Sequence, residues 1–580
     1  MPKIRELYLE LLREWMDELM RLMVHDPSHK TLDGAILCPA CSVVHGRCAD
    51  AIYPFLCLYA IDRKKEYLEA ARRLFAWSGY MLCDDGSMYN DSQSQWQGTT
   101  VFSALGLYHA LRYHGDLLEK RERLAWEERL KTLAGWLKDG IRAEGRTNVN
   151  YIAANAAAME LIGVYFQEDG MRVLAKTLAL AALSRVGEGG LIYGEGSPLK
   201  QATPRGMSAV DVGYNAEETL PCLYEYAVSC GDADILERVL KLAGTQLRLM
   251  LPDGAWDNSF GSRNFKWTYW GSRTADGCQA MFNALGRADP AFAEAALRNL
   301  MLYRRCTKGL LYGGVDYRKH GEQPCAHHAF CRAKALAQAL DEGVTEFERC
   351  AIPSDAPVGL EHYPEAGAYR LSAGAWRMSV CYGDFPYMKG GHASGGAITL
   401  LWHGTYGPVF AAANTDYSLH EAHNMQLTRR KSLQGSLCPR LEIEKDGRLL
   451  SQVYDFGTAV CAVEQPDGVM IEAKGQLCDI EHAPAEGGAY AARYSLSEKG
   501  LEISIDSLSG ARLVLPLISR EDITAEGESA LLFAGRLRVE AQGSIILNRR
   551  VFNLAPGFEA WELIAPADDR GHIGVKLRFC

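Results

Sequence analysis

The spacing of apolar residues changes near residue 340, and this change decides the fold class. Up to about residue 340, apolar side chains recur at i, i+3, i+4 and i+7, the period of amphipathic helices. Beyond about residue 365 they alternate with polar ones, and Gly, Asp and Asn mark the turns, as in half-buried strands. The sequence therefore predicts a helical domain over 1–340, a proline-containing linker over 341–365 and an antiparallel β-sandwich over 366–580.

The helical half divides into about twelve predicted helices, which are joined by two kinds of connection. Short turns, such as the one at Asp62–Lys64, alternate with longer Gly-rich loops that begin near residues 25, 80, 140, 184, 249 and 303. A recurrence of roughly 45 to 65 residues is typical of stacked helical hairpins. Hairpins that close in a ring form an (α/α)6 toroid with the longer loops on one face. We expect these loops to surround the mouth of a catalytic funnel.

Charge and cysteine content limit the cellular partners. The 62 Lys and Arg against 72 Asp and Glu give a formal net charge of -10, which provides no basic surface for nucleic acid. The N-terminus lacks the uninterrupted apolar run of a signal peptide, and no stretch is apolar enough to cross a membrane. The 17 cysteines are scattered as free thiols of a reducing compartment would be. We expect a cytoplasmic enzyme without nucleic-acid or membrane partners, and the oligomeric state, a homo-oligomer included, stays open.

The fifth long loop, residues 253–277, combines aromatic rings, cations and amides without a helical or strand period. Such a composition favours a ligand surface, because binding residues concentrate on loops held by a rigid scaffold. Flat rings beside cations and amides suit a sugar ring that carries a carboxylate. The alternative is an aromatic plug whose cations face water. The residues expected to contact substrate are Arg263, Asn264, Lys266, Trp267, Trp270 and Arg273.

The other long loops carry polar residues that a plain connector does not need. Those expected to face the same mouth, together with one residue of the sheet domain, are His45, Arg47, Asn90, Trp96, Asn150, Asn215 and His392.

A cysteine-rich segment opens the first of these loops. Cys38, Cys41, His45 and Cys48 could hold zinc, but four ligands this close together, running into a helix, fit the usual spacing of zinc ligands poorly. We therefore expect packed cysteines, no metal and no cofactor.

Acidic residues near the mouth supply candidates for acid–base chemistry. Glu217 and Glu218 stand in a first helical turn, where the helix dipole alone favours acidic residues. Two carboxylates on opposite walls of the mouth could instead hydrolyse a glycosidic bond, with one as the acid and the other as the base or nucleophile. Glu218 and Asp257 are the expected pair, with Glu195 and Glu217 in reserve. Their separation, which decides between retention and inversion, is not readable from the sequence.

Local motifs resemble uronate-active enzymes. The segment 194–198 (Gly-Glu-Gly-Ser-Pro) with Tyr214, and the segment 392–408, resemble parts of the heparinase II/III-like polysaccharide lyases. The segments 45–47 and 267–273 look instead like a toroid group associated with exo-acting glucuronidases. The lyases' His-x-His-x-Asp pattern is missing after His392. The resemblance in layout covers nearly the whole chain and implies a toroid-plus-sandwich fold and a uronic-acid substrate.

Three classes of function follow from these residues. The leading hypothesis is an exo-acting glycoside hydrolase that removes terminal glucuronic acid from oligosaccharides, with the cations of the fifth loop pairing with the substrate carboxylate. The alternative is a lyase that acts by β-elimination. In that mechanism Asn215 or Arg273 neutralises the carboxylate, and His392 assists while Tyr214 or Tyr269 abstracts the C5 proton. A glycan-binding protein without turnover is the third class.

Overall fold

A computed structural model describes residues 3–91, 96–145, 147–196, 202–357, 359–385, 392–412, 431–519 and 523–580. Among these residues, the α-helices all lie before the sheet domain. They are α1 (Ile4–Arg21), α2 (Ile52–Asp62), α3 (Lys65–Ser78), α4 (Thr100–His114), α5 (Lys120–Gly140), α6 (Val149–Phe166), α7 (Asp169–Leu183), α8 (Val212–Tyr214), α9 (Leu220–Cys230), α10 (Ala233–Leu247), α11 (Gln279–Leu285), α12 (Pro290–Arg305) and α13 (Ala326–Glu342).

Except for the short α8, these helices form a closed double ring. The inner ring consists of α2, α4, α6, α9, α11 and α13, each packed on the next, with α13 packed on α2. Each inner helix has an outer partner, and α1 closes the outer ring against α13. Burial follows position, since α6 buries 14 of its 18 residues whereas the amphipathic outer helix α10 buries 6 of 15. The predicted (α/α)6 toroid is confirmed.

The connections from each outer helix to the next inner helix lie at one end of the ring, because neighbouring helices run antiparallel. The inner helices therefore begin at this end, which we call the mouth. As predicted, these are the longer connections, and they span residues 22–51, 79–99, 141–148, 184–211, 248–278 and 306–325.

The strands form two small hairpins in the mouth loops and two antiparallel sheets in the C-terminal part. The hairpins are β1 (Trp267–Thr268) with β2 (Gly271–Ser272) and β3 (Thr307–Lys308) with β4 (Leu310–Leu311). The smaller sheet follows chain order through β5 (Leu360–Tyr363), β6 (Ala368–Ala373), β7 (Trp376–Cys381), β8 (Ala397–His403) and β9 (Gly407–Ala411). The predicted linker 341–365 thus already contains a strand, β5, which pairs with β6.

Within the described ranges, the larger sheet has 13 strands in the order β17-β18-β19-β22-β15-β14-β13-β11-β10-β16-β21-β20, with β12 on β13. Apolar residues of both sheets share one core, for example Met378 and Leu401 with Ile471 and Leu515, which confirms the antiparallel β-sandwich. The strands of the larger sheet are β10 (Arg440–Lys445), β11 (Arg448–Ser451), β12 (Ala459–Gln465), β13 (Gly468–Cys478), β14 (Pro484–Ser497), β15 (Gly500–Asp506), β16 (Arg512–Ile518), β17 (Ile523–Ala525), β18 (Ala530–Phe533), β19 (Leu537–Ala541), β20 (Ile546–Asn553), β21 (Phe558–Pro566) and β22 (His572–Phe579).

The sandwich packs against the mouth loops of the toroid. Gly557, at φ +99°, touches Gly314 so closely that a Cβ on Gly314 would lie 2.5 Å from the Gly557 Cα. Asp316 Oδ2 accepts a hydrogen bond from the backbone N of Glu559 at 2.9 Å. The fold therefore places one end of the ring against the second domain.

Among the described residues, no helix has the length and apolarity needed to cross a membrane.

Candidate functional site

Four polar side chains, from two of the connections and from the starts of two inner helices, meet at the mouth. The Asn150 side-chain Nδ2 donates to Glu218 Oε1 at 2.7 Å, and the Asn150 backbone N donates to Glu195 Oε1 at 2.9 Å. Arg263 Nη1 donates to the other Glu195 oxygen at 3.0 Å. Asn150 stands in the first turn of α6, where backbone N–H groups have no partner within the helix, so Glu195 satisfies one of them. All four side chains are buried.

Tyr214 lies in the same group. The Arg263 guanidinium carbon stands 4.4 Å from the centre of the Tyr214 ring, and the Tyr214 hydroxyl is hydrogen-bonded to the hydroxyl of Thr274. Asp211 fixes the start of this helical turn, because its Oδ1 accepts from the Tyr214 backbone N at 2.9 Å. The phenol, the guanidinium and two carboxyl groups therefore form one connected cluster.

Burial dominates the proton affinities of this cluster. It raises the pKa of Glu218 to about 8, with the nearby Asp276 charge adding to the effect and Arg47 opposing it. Burial also raises the pKa of Glu195 to about 7, although Arg263 opposes the shift. The pKa of Tyr214 is raised above its ordinary value by burial, again against Arg263. At neutral pH Glu218 is therefore mostly protonated and can donate a hydrogen bond, and Tyr214 is a neutral phenol.

The adjacent Glu217 and Glu218 lie in a π-helical turn at residues 215–219, and their side chains point in different directions. Glu217 pairs with Arg332 at 2.6 Å, accepts from the Ser272 backbone N at 2.8 Å, and is fully buried between the inner helices. Glu218 points to Asn150, and both glutamates border a cavity of about 790 Å³ that extends between the inner helices past Glu342. Such π-turns are frequent at functional sites, and here the turn sends one carboxyl into the core and the other to the cluster.

Beneath the cluster, two cations and two carboxylates neutralise one another. Arg47 contacts Asp50 at 2.8 Å and Asp276 at 2.6 Å, and Lys334 contacts the same two carboxylates at 2.9 and 2.8 Å. Arg47 also stacks on Phe102, 4.1 Å from the ring centre. Arg47 was expected to contact substrate, whereas the structure places it in this internal network.

The rim of the mouth offers an exposed aromatic face. Trp96 is 47% exposed, and its Nε1 donates to the Tyr151 hydroxyl at 3.0 Å. Lys266 lies close enough to Tyr151 to oppose the rise of the Tyr151 pKa, which burial brings to about 12. Asn90, on the same loop as Trp96, donates to Asp91 at 2.6 Å. Trp96 therefore presents an exposed ring at the rim, and its contact with a sugar stays a prediction.

The rings of the fifth loop form the aromatic plug that was the alternative interpretation. Trp267 and Trp270 are fully buried, and their Nε1 atoms each donate to a backbone carbonyl at 2.9 Å. Tyr269 donates to Asp253 at 3.0 Å, and its ring packs on Phe558 of the sandwich. The expected stacking of Trp267 and Trp270 on sugar is corrected, because neither ring reaches solvent.

Two other residues of this loop bind partners in the sandwich, and one of them, Arg273, also binds the sixth mouth loop. Arg273 donates to the Tyr317 hydroxyl at 2.6 Å and to the Leu554 carbonyl at 2.7 Å. Asp257 accepts from Ser259 at 2.7 Å, and its second oxygen accepts from Ser379 at 2.5 Å and lies 3.2 Å from Arg370 Nε. The expected carboxylate pair of Glu218 and Asp257 is therefore corrected. Asp257 is fully buried, and both of its oxygens are used within the domain interface.

The remaining predicted residues mostly donate hydrogen bonds to backbone carbonyls or contact cysteine sulfur atoms. Asn215 donates to the Ile192 carbonyl at 2.9 Å, and Asn264 donates to the Ser259 carbonyl at 3.1 Å. His392 Nε2 lies 3.3 Å from Cys381 Sγ, and burial lowers the pKa of His392 to about 4, so the ring is neutral. His45 Nε2 lies 3.3 Å from Cys41 Sγ.

Sequence reasoning missed several members of the site. Tyr151 adjoins the predicted Asn150, and Thr274 and Asp276 lie within the predicted loop 253–277, but nothing in the sequence singles them out. Lys334 lies in the middle of α13, and no local signal marks it.

Two domain families, one for each half of the fold, together match almost the whole chain. Residues 12–354 match the ulvan lyase N-terminal domain, and residues 360–580 match the ulvan lyase C-terminal domain. A broad-specificity ulvan lyase of Formosa agariphila is 32% identical over 584 residues, covering 96% of this chain and 91% of that protein.

Solved structures with a similar fold include two lyases. A chondroitin AC lyase of Streptomyces coelicolor, in complex with chondroitin sulphate, aligns with 99% of this chain and 79% of that one at 11% identity and a TM-score of 0.55. A xanthan lyase of Paenibacillus aligns with 100% of this chain and 57% of that one at 10% identity and a TM-score of 0.54. At these identities the likeness concerns the fold alone.

Proposed function

Because this chain belongs to the ulvan lyase family, we propose that it is a polysaccharide lyase that cleaves acidic, uronate-containing polysaccharide by β-elimination. The observation that carries the proposal is the 32% identity to an ulvan lyase across both domains. The suspected kinship with toroid-plus-sandwich enzymes acting on uronic acids is thereby confirmed.

The leading hypothesis from the sequence, a glycoside hydrolase with glucuronidase activity, is wrong. The family and the relative that match this chain are lyases, which corresponds to the alternative that the sequence left open. Asp257, the expected second carboxylate of a hydrolytic pair, is bonded to Arg370 and Ser379 of the sandwich.

β-Elimination makes three chemical demands on a site. The C5–H and C4–O4 bonds of the uronate break, a C4=C5 double bond forms, and O4 leaves with a proton. Neutralising the uronate carboxylate makes the C5 proton more acidic, a base removes that proton, and an acid delivers a proton to O4.

Tyr214 is the proton-transfer residue of the proposal. The Arg263 guanidinium over its ring favours the phenolate that forms when the hydroxyl gives up a proton, and Thr274 orients the hydroxyl. Glu195, bonded to Arg263, holds the guanidinium in place at 3.0 Å. As the C4–O4 bond breaks, the Tyr214 phenol passes its proton to O4 while the same oxygen takes the C5 proton, the C5–H electrons form the C4=C5 bond, and Tyr214 ends as the neutral phenol.

Asn150 and protonated Glu218 receive the uronate carboxylate. Within the described part of the chain, Glu218 Oε2 is buried without a hydrogen-bond partner, although buried polar atoms are normally bonded. Asn150 Nδ2 donates one N–H to Glu218 Oε1 and has a second N–H to offer. A protonated Glu218 can donate to a carboxylate, and the negative charge of the substrate would raise the pKa of Glu218 further. These two residues replace Asn215 and Arg273, whose donor groups are bonded to Ile192 and Leu554 carbonyls.

The test is incubation of the full chain with ulvan, with a chondroitin-type polysaccharide and with an uncharged glucan as control. Products are read by ultraviolet absorbance and by mass. We expect absorbance from 4,5-unsaturated ends and products without an added water on a uronate polysaccharide, and neither on the glucan. Products that carry an added water and do not absorb would refute the lyase assignment.

A further inference from the structure

Three cysteines and a histidine meet where the first mouth loop touches the start of α13. Cys38 Sγ lies 3.6 Å from Cys325 Sγ, and Cys41 Sγ lies 3.3 Å from His45 Nε2. The ligand atoms of Cys38, His45 and Cys325 all lie within 4.8 Å of one another. The backbone N of Ala326 donates to Cys38 Sγ at 3.4 Å. Three donor atoms therefore converge on one point from two distant parts of the chain, and the Cys41 sulfur lies beside the histidine of this group.

These separations fit the edges of a tetrahedral zinc site. Zinc–sulfur bonds of about 2.3 Å and zinc–nitrogen bonds of about 2.0 Å place neighbouring ligand atoms roughly 3.5 to 3.8 Å apart. A disulfide between Cys38 and Cys325 does not describe the pair, since a sulfur–sulfur bond is about 2.05 Å long and both residues are free thiols. A backbone N–H directed at a cysteine sulfur is the kind of surrounding contact that supports a metal-bound thiolate.

The sequence pointed to a different fourth ligand. Cys48 follows the motif at close spacing, but its Sγ is buried and donates to the Ile36 carbonyl at 3.4 Å. Cys325, the residue before α13, takes its place. This exchange removes the objection to the spacing, because Cys38, Cys41 and His45 form a short loop and the fourth ligand comes from another element.

We propose that Cys38, Cys41, His45 and Cys325 bind one structural zinc ion. A set of three cysteines and one histidine without an open position is typical of structural rather than catalytic zinc. The ion would fasten the first mouth loop to α13, beside the seam where α1 packs on α13 and closes the ring. The zinc proposal does not depend on the lyase proposal, because it is tested by metal content and by unfolding rather than by activity.

The ion would also affect the positions of the mouth loops indirectly. His45 directly precedes Gly46, and a Cβ on Gly46 would lie 1.9 Å from the Tyr89 carbonyl oxygen, so the two loops are already in close contact there. Arg47 then joins Asp50 and Asp276 beneath the cluster. Without the ion, the chain between Cys38 and Arg47 keeps the Ala326 N–H contact with Cys38 but loses the links through the metal to Cys325 beside α13.

The test begins with metal analysis of the full chain, purified without chelator and then titrated with zinc against a chromophoric chelator. We expect about one zinc per chain, a lower unfolding temperature after chelator treatment, and thiolate-to-metal absorption after replacement by Co²⁺. A chain that neither holds zinc when purified nor takes it up in the titration would overturn the proposal.

Substitutions separate the ligands from their neighbours. Cys325→Ser should abolish stoichiometric zinc, and Cys41→Ser, at an exposed thiol that contributes little packing, should weaken retention even if Cys325→Ser fails to fold. Cys48→Ser is the matched control on the same loop, and it should keep full zinc content. Equal zinc content in Cys41→Ser and Cys48→Ser, with unchanged chelator sensitivity, would refute the ligand set.

Discussion

Replacing Tyr214 by Phe removes one oxygen and leaves the aromatic ring under Arg263, so it isolates the hydroxyl. General acid–base catalysis by a positioned side chain contributes about 10²- to 10⁴-fold in rate. At about 1.4 kcal/mol per factor of ten, this corresponds to roughly 3 to 5.5 kcal/mol of transition-state stabilisation. We therefore expect kcat to fall by about 10²- to 10⁴-fold while KM changes little, because the ring and the surrounding donors stay in place.

The matched control is Tyr269→Phe, which removes the same atom from a buried tyrosine at the domain interface. Each hydroxyl makes a side-chain hydrogen bond, Tyr214 to Thr274 and Tyr269 to Asp253. Each change should therefore lower the free energy of unfolding by a similar amount, about 1 kcal/mol. Only Tyr214→Phe should lose activity beyond what this small loss of stability explains.

The assay is the initial rate of ultraviolet absorbance from unsaturated ends, with thermal unfolding recorded on the same samples. If Tyr214→Phe kept more than about a tenth of the wild-type kcat, the hydroxyl would not be the proton-transfer group. An equal loss in Tyr269→Phe would show instead that both changes act through the packing of the mouth against the sandwich.

Three further changes test the electrostatics and the rim. Burial raises the pKa of Glu218 from 4.5 to about 8. Below pH 4.5 the group is protonated in both the folded and the unfolded chain and costs no stability, whereas the free energy of unfolding falls as the pH rises from 4.5 towards 8, because only the unfolded chain ionises readily. Glu218→Gln should thus raise the unfolding temperature at pH 8 and not at pH 4, keep activity within about tenfold, and remove any loss of activity that wild type shows as Glu218 ionises. Asp257→Asn weakens the pairing of buried Arg370, and up to about 3 kcal/mol should be lost from the free energy of unfolding in denaturant titrations, while kcat of the folded enzyme is kept. A kcat drop of 10²-fold or more there would restore a chemical role for Asp257. Trp96→Ala removes an exposed ring and should raise KM roughly two- to tenfold with an unchanged unfolding temperature, as expected for a stacking contact of about 0.5–1.5 kcal/mol. An unchanged KM would remove Trp96 from the binding surface.

Most of the fold was predictable because the signals that specify it are local. Helix period, strand alternation and the position of turns depend on residues within one or two turns of each other, so the predicted helices and strands lie close to the observed ones. The alternation of short and long connections also identified which loops share the mouth. The domain bounds and the cytoplasmic location stay predictions.

The site was only partly predictable, because the role of a polar side chain depends on its partners. Glu217 and Glu218 look alike in the sequence, yet one is paired with Arg332 in the core and the other meets Asn150. Asp257 does not serve the mouth, because it is paired with Arg370, which lies in the second domain. No local pattern reports such a contact, since the partners are far apart in the chain.

The sequence by itself determined the toroid, the sandwich and the loops that carry the site, because periodic burial of apolar residues is encoded where the residues stand. Tertiary structure alone decided that Trp267 and Trp270 fill a plug, that Trp96 stays at the rim, and that Cys325 joins Cys38. The physical reason is that burial and pairing set pKa values, hydrogen bonds and exposure. These quantities exist only once distant segments have packed together.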